Sequence, residues 1–270
     1  MAEVVKPRAS KYVLRFVALA YLTVLLVLPV GLVFWRTFEH GIGPVWDNLT
    51  SPNALHALRV TVIVAFWAVL ANTVFGLALA IVLVRRVFRG RRLLNAVIDL
   101  PIAVPPTVVG LALILAYGSR TAVGGWLNDH GIQIIFSIPG MVLATIFVSL
   151  PLVVREVAPV LEEIGIDQEQ AAWTLGASSV QAFRRVTLPA IRWALAYGIV
   201  LTLARCLGEF GAVAVVSGRL VGKTQTATLF VEERFQNFDQ PAAYAMAFAL
   251  ASFAVIVLVV INLLRPQEDG

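Results

Sequence analysis

Residues Val60–Val84 read VTVIVAFWAVLANTVFGLALAIVLV, with Arg59 and Arg85 at the two ends and no charge between them. A bilayer core about 30 Å thick takes about 20 apolar residues in a helix, so this run predicts a transmembrane helix. The rest of the chain agrees. Of 270 residues, 59% are hydrophobic and 14% charged, and the mean hydropathy is +0.86. A soluble domain carries roughly 25% charged residues. The composition therefore argues against a soluble enzyme, a disordered chain and a disulfide-rich secreted module. The one cysteine, Cys206, leaves no intramolecular disulfide, and His40, His56 and His130 are too scattered for a metal cluster. A net charge of +5 on so apolar a chain matters through its placement.

Working outward, five further stretches qualify as spans: Phe16–Trp35, Leu93–Tyr117, Ile134–Val154, Trp193–Val216 and Ala243–Leu264. The first is too long for a signal-peptide core and lacks a small-residue cleavage site, so it reads as a retained anchor. The predicted fold class is an all-α polytopic membrane protein with six transmembrane helices. Basic residues cluster in the N-terminus (Lys6, Arg8, Lys11, Arg15), the second loop (Arg85, Arg86, Arg89, Arg91, Arg92), the fourth loop (Arg155, Arg184, Arg185, Arg192) and at Arg265. Only Arg36, Arg59, Arg120, Arg219, Lys223 and Arg234 fall in the alternate loops. The positive-inside rule then places both termini in the cytoplasm. Trp35, Tyr117, Trp193 and Tyr197 suit interfacial belts.

Asp99, Pro101, Pro105, Pro106 and Gly110 interrupt the third span. Proline removes a backbone donor, and in lipid such a break survives only against protein or a water-filled cavity. A packing kink and a pathway-lining helix both fit. Asp99 lies close enough to the inner end to reach the interface.

The longest cytoplasmic connection, Arg155–Arg192, should carry structure of its own. Asp167 with Gln170, and Ser178 with Gln181, make two capping-box patterns. Gly176 suits the end of the first helix, and Pro189 is expected to close the second. The first helix presents Ala171, Ala172 and Leu175, a small-residue face. A DNA-reading helix-turn-helix would also use such a pattern, but the unit is short, and Arg184 and Arg185 sit among Glu162, Glu163, Asp167 and Glu169. An inert amphipathic loop is a second reading. A docking element for a cytoplasmic partner is the preferred one.

Gln170-Ala171-Ala172, three residues, Gly176, nine residues, then Val186-Thr187-Leu188-Pro189 resembles the EAA signature of ABC-importer permeases of the MetI-like superfamily. Gln170 stands where the family has Glu, with Glu169 beside it, and Val186 replaces Ile. Phe183–Pro189, Arg192–Leu195 and the run from Ala204 through Gly208-Glu209-Phe210-Gly211 to Ser217-Gly218 are similar to the sulfate/thiosulfate permeases, the CysW type most closely. The Gly-Glu-Phe-Gly run is shared with molybdate and tungstate permeases. The resemblance implies a non-catalytic permease domain over 16–265, between a cytoplasmic N-terminus (1–15) and a cytoplasmic tail (266–270), with a coupling loop at 155–192. It implies a related CysT-type permease, two cytoplasmic CysA-type ATPase subunits and an extracytoplasmic sulfate-binding protein as partners. No cofactor would be bound by this chain; ATP and Mg would sit on the partner ATPase. Glu169, Gln170, Ala171, Ala172, Leu175, Gly176, Leu188 and Pro189 would form the ATPase-coupling surface, on the cytoplasmic side of a bacterial inner membrane.

Arg205 lies about 18 Å along span five from Trp193, with Glu209 four residues on and on the same helical face. Charges this deep are normally buried, paired and functional. Two roles stay open: a positive site on the path of a dianion, held or gated by Glu209, or an ion pair that fixes packing. Gly208 and Gly211 would let a neighbouring helix approach. Gly218–Thr224 falls one residue short of a P-loop and lacks a preceding strand; Arg219 and Lys223 would draw an anion or face a binding protein. A stand-alone ion-coupled transporter would show paired broken helices, and only one broken span is legible. A membrane-embedded enzyme would need a carboxylate pair, a metal cluster or a nucleophile–base set, and none is seen.

Overall fold

The computed structural model describes residues 8–264; Lys6, Arg265 and the tail 266–270 lie outside them. Among the described residues every regular element is helical. Helix α1 (Arg8–Leu22) passes through a π-turn at Thr23–Val27 into α2 (Leu28–Phe38), followed by α3 (Ile42–Thr50) and α4 (Pro52–Arg85). Then come α5 (Arg91–Ala103), α6 (Pro106–Tyr117), α7 (Ala122–Asp129), α8 (Ile138–Glu163) and α9 (Asp167–Thr174). Helix α10 (Ser179–Ala182) leads through a second π-turn, Phe183–Thr187, into α11 (Leu188–Leu207). The chain ends with α12 (Gly211–Val216), α13 (Ala227–Gln236) and α14 (Gln240–Leu264). Five helical stretches are long and apolar enough to cross a membrane, or six if α5 and α6, inclined at 114°, count as one broken span.

Several boundaries differ from expectation; α4 starts eight residues before Val60, at Pro52. The fourth span begins at Ile138 rather than Ile134: Phe136 has φ 62°, its N–H bonds the Val216 carbonyl at 2.8 Å, and Pro139 takes a first-turn position that needs no N–H. That helix then runs to Glu163, so the first part of the expected loop belongs to it. Pro189 does not close a helix. It stands in the first turn of α11, and the π-turn before it absorbs the missing donor, Leu188 N–H reaching back to the Phe183 carbonyl. The independent structure of the loop is thus confined to residues 164–178 and the short α10 turn.

The fifth span is also interrupted. Its helix stops at Leu207 and resumes at Gly211, so the single broken span read from the sequence has a counterpart. The two half-helices that follow the breaks, α6 and α12, pack together. A Cβ on Gly110 would stand 2.7 Å from the Val215 Cβ and 2.8 Å from the Ala212 carbonyl. One on Gly211 would stand 2.9 Å from the Pro106 Cβ. Without those hydrogens the backbones could not close.

Helices α4, α8 and α11 form the centre of the bundle. Val153, fully buried, fits between two glycines: a Cβ at Gly76 would lie 2.9 Å from its Cβ, and one at Gly198 would lie 3.2 Å from its Cα. Small residues let helices approach where lipid offers no hydrophobic drive. Buried polar groups add directional contacts. Asn72 donates to Ser149 Oγ at 2.7 Å and to the Ile146 carbonyl at 3.2 Å, while Thr61 Oγ1 accepts the first N–H of α13 from Ala227 at 2.8 Å. Phe34, Phe38 and Phe248 stack α2 on α14 with ring centroids 5.0–5.2 Å apart.

The glycine contacts set a testable contrast. Gly110→Ala should lower stability by about 1–3 kcal/mol through overpacking. Gly208→Ala should be near neutral, because the nearest atom to its Cβ, the Ala204 carbonyl oxygen, is 3.8 Å away. Thermal melts of the detergent-solubilised protein followed by size-exclusion would rank the two.

Candidate functional site

The segment between α8 and α11 folds as a helix, a glycine turn and a second helix. Gly176, at φ +87°, ends α9: Ala177 N–H bonds the Ala172 carbonyl and Gly176 N–H that of Trp173, both at 3.0 Å, the paired bonds of a Schellman end. Ser178 and Gln181 form the predicted capping box, with bonds of 3.3 and 2.8 Å. The other capping box is absent. Ile166, not Asp167, occupies the N-cap, no side chain caps there, and Gly165 at φ +61° sets the entry. Asp167 and Glu169 still lie in the first turn, where carboxylates suit the helix dipole.

Glu169 holds this element in place. Its Oε1 accepts from Arg85 Nε at 3.2 Å, from Arg85 Nη2 at 3.0 Å and from Thr187 Oγ1 at 2.9 Å. Arg85 Nη1 also donates to the Leu161 carbonyl at 2.9 Å. One buried carboxylate therefore ties α9 to the ends of α4 and α8 and to the π-turn that opens α11. Gln170 is exposed, so the position where the family has Glu does not carry the buried charge here; its neighbour does. Ala171, Leu175, Gly176 and Pro189 are also exposed, Ala172 and Leu188 half-buried. Leu175 is 88% exposed. Arg85 and Thr187 were not singled out from the sequence; an arginine closing an apolar run was the one available signal for the first, and Arg86 directly after it shares that signal.

At the other end of α11, Arg205 Nη1 lies 2.6 Å from Glu209 Oε2. The pair forms as expected but not along one continuous helix, because Glu209 lies in the break. Its side chain is 2% exposed against 37% for Arg205. Glu209 Oε1 accepts the Ala212 N–H at 2.9 Å, capping α12, and the Glu209 carbonyl accepts from Thr228 Oγ1 at 2.9 Å. Gly211 provides the close approach predicted for it, whereas Gly208 meets no neighbouring helix. Arg205 also lines a cleft of about 360 Å³ whose other walls are the α5–α6 elbow, Pro101–Pro106, with Val148, Pro151 and Leu152. The two breaks therefore meet around one cationic side chain.

Two other expectations change. Asp99 is engaged by Arg155, whose Nε donates to it at 2.8 Å, so it fastens α5 to α8 rather than simply reaching an interface. The Gly218–Thr224 loop closes on itself: the Leu220 carbonyl accepts from Lys223, Thr224 and Gln225 N–H at 2.9–3.1 Å, and Thr224 Oγ1 donates to the Ser217 carbonyl at 2.6 Å. A helix, not a strand, precedes it. Arg219 pairs with Glu232 at 3.1 Å, which weakens its expected role as an anion attractor.

The same fold recurs in solved transporters. A bacterial ABC transporter involved in the import of the acidic polysaccharide alginate superposes with a TM-score of 0.78 at 16% identity, covering 96% of both chains. A second structure of a bacterial alginate ABC transporter, in complex with alginate pentasaccharide-bound periplasmic protein, gives 0.75 at 17% identity, over 93% of this chain and 92% of that one. The architecture is thus that of an ABC-transporter permease. Residues 72–268 match the family described as binding-protein-dependent transport system inner membrane component, and the chain belongs to it. The sulfate transport system permease protein CysW of Synechocystis sp. (strain ATCC 27184 / PCC 6803 / Kazusa) is 51% identical over 96% of this chain and 94% of its own. CysW of Escherichia coli (strain K12) is 48% identical over 89% and 83%, and CysT of the same organism 39% over 93% and 90%. The chain is accordingly a multi-pass inner-membrane permease subunit of an ABC importer rather than an enzyme, as the EAA resemblance implied.

Removing one member of a buried, hydrogen-bonded ion pair costs about 3–5 kcal/mol. Glu169→Ala should therefore lower the melting temperature markedly, while Gln170→Ala leaves it unchanged. Equal losses in the two variants would assign the anchoring charge wrongly.

Proposed function

We propose that this chain is the CysW-type half of the membrane unit of a sulfate importer, with six spans, both termini in the cytoplasm and a permease domain over 16–265. The high identity to sulfate permeases over nearly the whole chain supports the substrate assignment. The observation that carries the coupling role is the state of α9: anchored through buried Glu169, yet exposing Ala171 and Leu175. A helix fastened on one side and bare on the other can receive a partner and pass on its movement. In this reading Gln170, Ala171, Ala172, Leu175 and Gly176 dock into a cytoplasmic ATPase subunit of the CysA type, with Leu188 and Pro189 at the start of α11 completing the element. ATP and Mg stay on that subunit; none is held by this chain. A CysT-type permease supplies the second half of the path, and an extracytoplasmic binding protein delivers the anion. The same architecture carries molybdate or tungstate if the binding protein selects them.

Arg205 gives the path a positive site. Its guanidinium faces the elbow cleft on one side and Glu209 on the other, so the carboxylate holds it and balances its charge while no anion is present.

Two variants test the reading. Leu175→Asp should abolish co-purification with the ATPase while membrane insertion persists. Arg205→Gln should keep the assembled complex and cut sulfate uptake by about tenfold or more, as expected for loss of a charge-assisted contact of roughly 1.5–3 kcal/mol. Normal uptake by an assembled Arg205→Gln complex would remove Arg205 from the path.

A further inference from the structure

A second charged cavity lies away from both elements described above. It measures about 400 Å³ and opens between the C-terminal end of α4, the start of α5 and the C-terminal half of α8. Leu83, Val84, Ala158 and Pro159 form an apolar wall; Arg91, Arg92, Asn95, Arg155 and Glu162 form a polar one. Arg85, which anchors α9, is not part of it.

The polar wall keeps cationic capacity. Arg155 is balanced by Asp99 and donates to Asn95 Oδ1 at 3.0 Å. Arg91 reaches Glu162 only at 3.4 Å, with both side chains largely exposed. The Arg92 side chain has no ion pair or hydrogen bond among the described residues, and neither do the side chains of Arg86 and Arg89 on the adjoining turn. Three arginines line the cavity against one lining carboxylate, Glu162, and Asp99, which pairs with Arg155; Arg86 and Arg89 lie on the adjoining turn in sequence. The turn itself is tight, since Gly90 at φ +99° caps α5, and it brings Arg89, Arg91 and Arg92 to one end of the helix pair.

We infer that this cavity seats the phosphate of an anionic phospholipid headgroup. Guanidinium groups recognise phosphate oxygens through paired, charge-assisted bonds. Basic pockets between membrane helices at the cytoplasmic face suit such headgroups, and the orientation assigned under the proposed function puts the end of α4 there. The apolar wall offers the glycerol and first methylenes a surface that a free inorganic anion would not use. Arg92 and Arg91 hold the phosphate, Asn95 hydrogen-bonds it, and Arg155 stays locked on Asp99, framing the seat. The lipid would brace α5 against α8 beside the elbow, independently of which anion is carried.

The test uses the full chain in its purified transporter complex, reconstituted in nanodiscs of phosphatidylcholine with phosphatidylglycerol, then released for native mass spectrometry. Wild-type protein should retain phosphatidylglycerol over phosphatidylcholine. Arg91→Gln with Arg92→Gln should reduce that retention by about fivefold for each arginine removed. Arg120→Gln, a basic residue elsewhere, should not change it. Millimolar inorganic phosphate should fail to displace the lipid. Equal retention of the two lipids, or full retention by the double variant, would overturn the proposal. Displacement by inorganic phosphate would assign the seat to a free anion and overturn it too. Sulfate uptake by the same variants is read separately, so the lipid seat and the transport reading can fail independently.

Discussion

A helix interrupted inside hydrocarbon exposes backbone groups that no solvent can satisfy, and the two interruptions in this chain are arranged around that constraint. At the elbow, Val104 N–H returns to the Leu100 carbonyl at 3.0 Å, and Pro105 and Pro106 have no N–H to lose. At the second break the Glu209 carboxylate takes the Ala212 N–H and Thr228 takes the Glu209 carbonyl. The half-helices beyond the breaks then cover each other through Gly110 and Gly211. Each break thus survives because the other lies beside it. The position of Arg205, on the last turn of α11 and beside the elbow cleft, follows from the same arrangement.

Proline shows how far the sequence could be read. Pro101, Pro105 and Pro106 announced the elbow correctly, since nothing else removes three donors in six residues. Pro189 misled, because the same residue is welcome in the first turn of a helix and disruptive later. Only the π-turn ahead of it decides between the two, and that turn has no distinctive composition. Gly208-Glu209-Phe210 gave no warning of a break: glycine is tolerated in membrane helices, and Glu209 four residues after Arg205 looks like an ordinary helical pair.

Two local signals held where a long-range contact gave none. The Ser178–Gln181 capping box and the Gly176 helix end each depend on residues within one turn, and both form. The Glu169 anchor depends on Arg85, 84 positions earlier, and on Thr187, 18 positions later. No spacing rule links those three. What the motif did show was where a face should be bare. Ala171 and Leu175 are exposed, while the Glu169 side chain makes the contacts to Arg85 and Thr187 that fasten α9.

The two buried carboxylates sit at opposite ends of one helix, and this relates the two functional regions. Glu169 holds the π-turn that opens α11 through Thr187; Glu209 holds the last turn of α11 through Arg205. Between them α11 runs 20 residues, about 30 Å at 1.5 Å per residue. Along that length Gly198 lets it lie directly against Val153 of α8, which in turn fills the space at Gly76 of α4. A displacement of α9 under the proposed coupling cannot be absorbed at the Glu169 end, where three helix ends share one buried charge. It has to travel along α11 or tilt it against α8, and either motion shifts Arg205 relative to the elbow that lines its cleft. The far end can yield, because Gly208–Phe210 is unwound and α12 is fixed to α6 instead. Under the proposed coupling, movement imposed at the α9 face would therefore be expressed at Arg205, beside the elbow cleft.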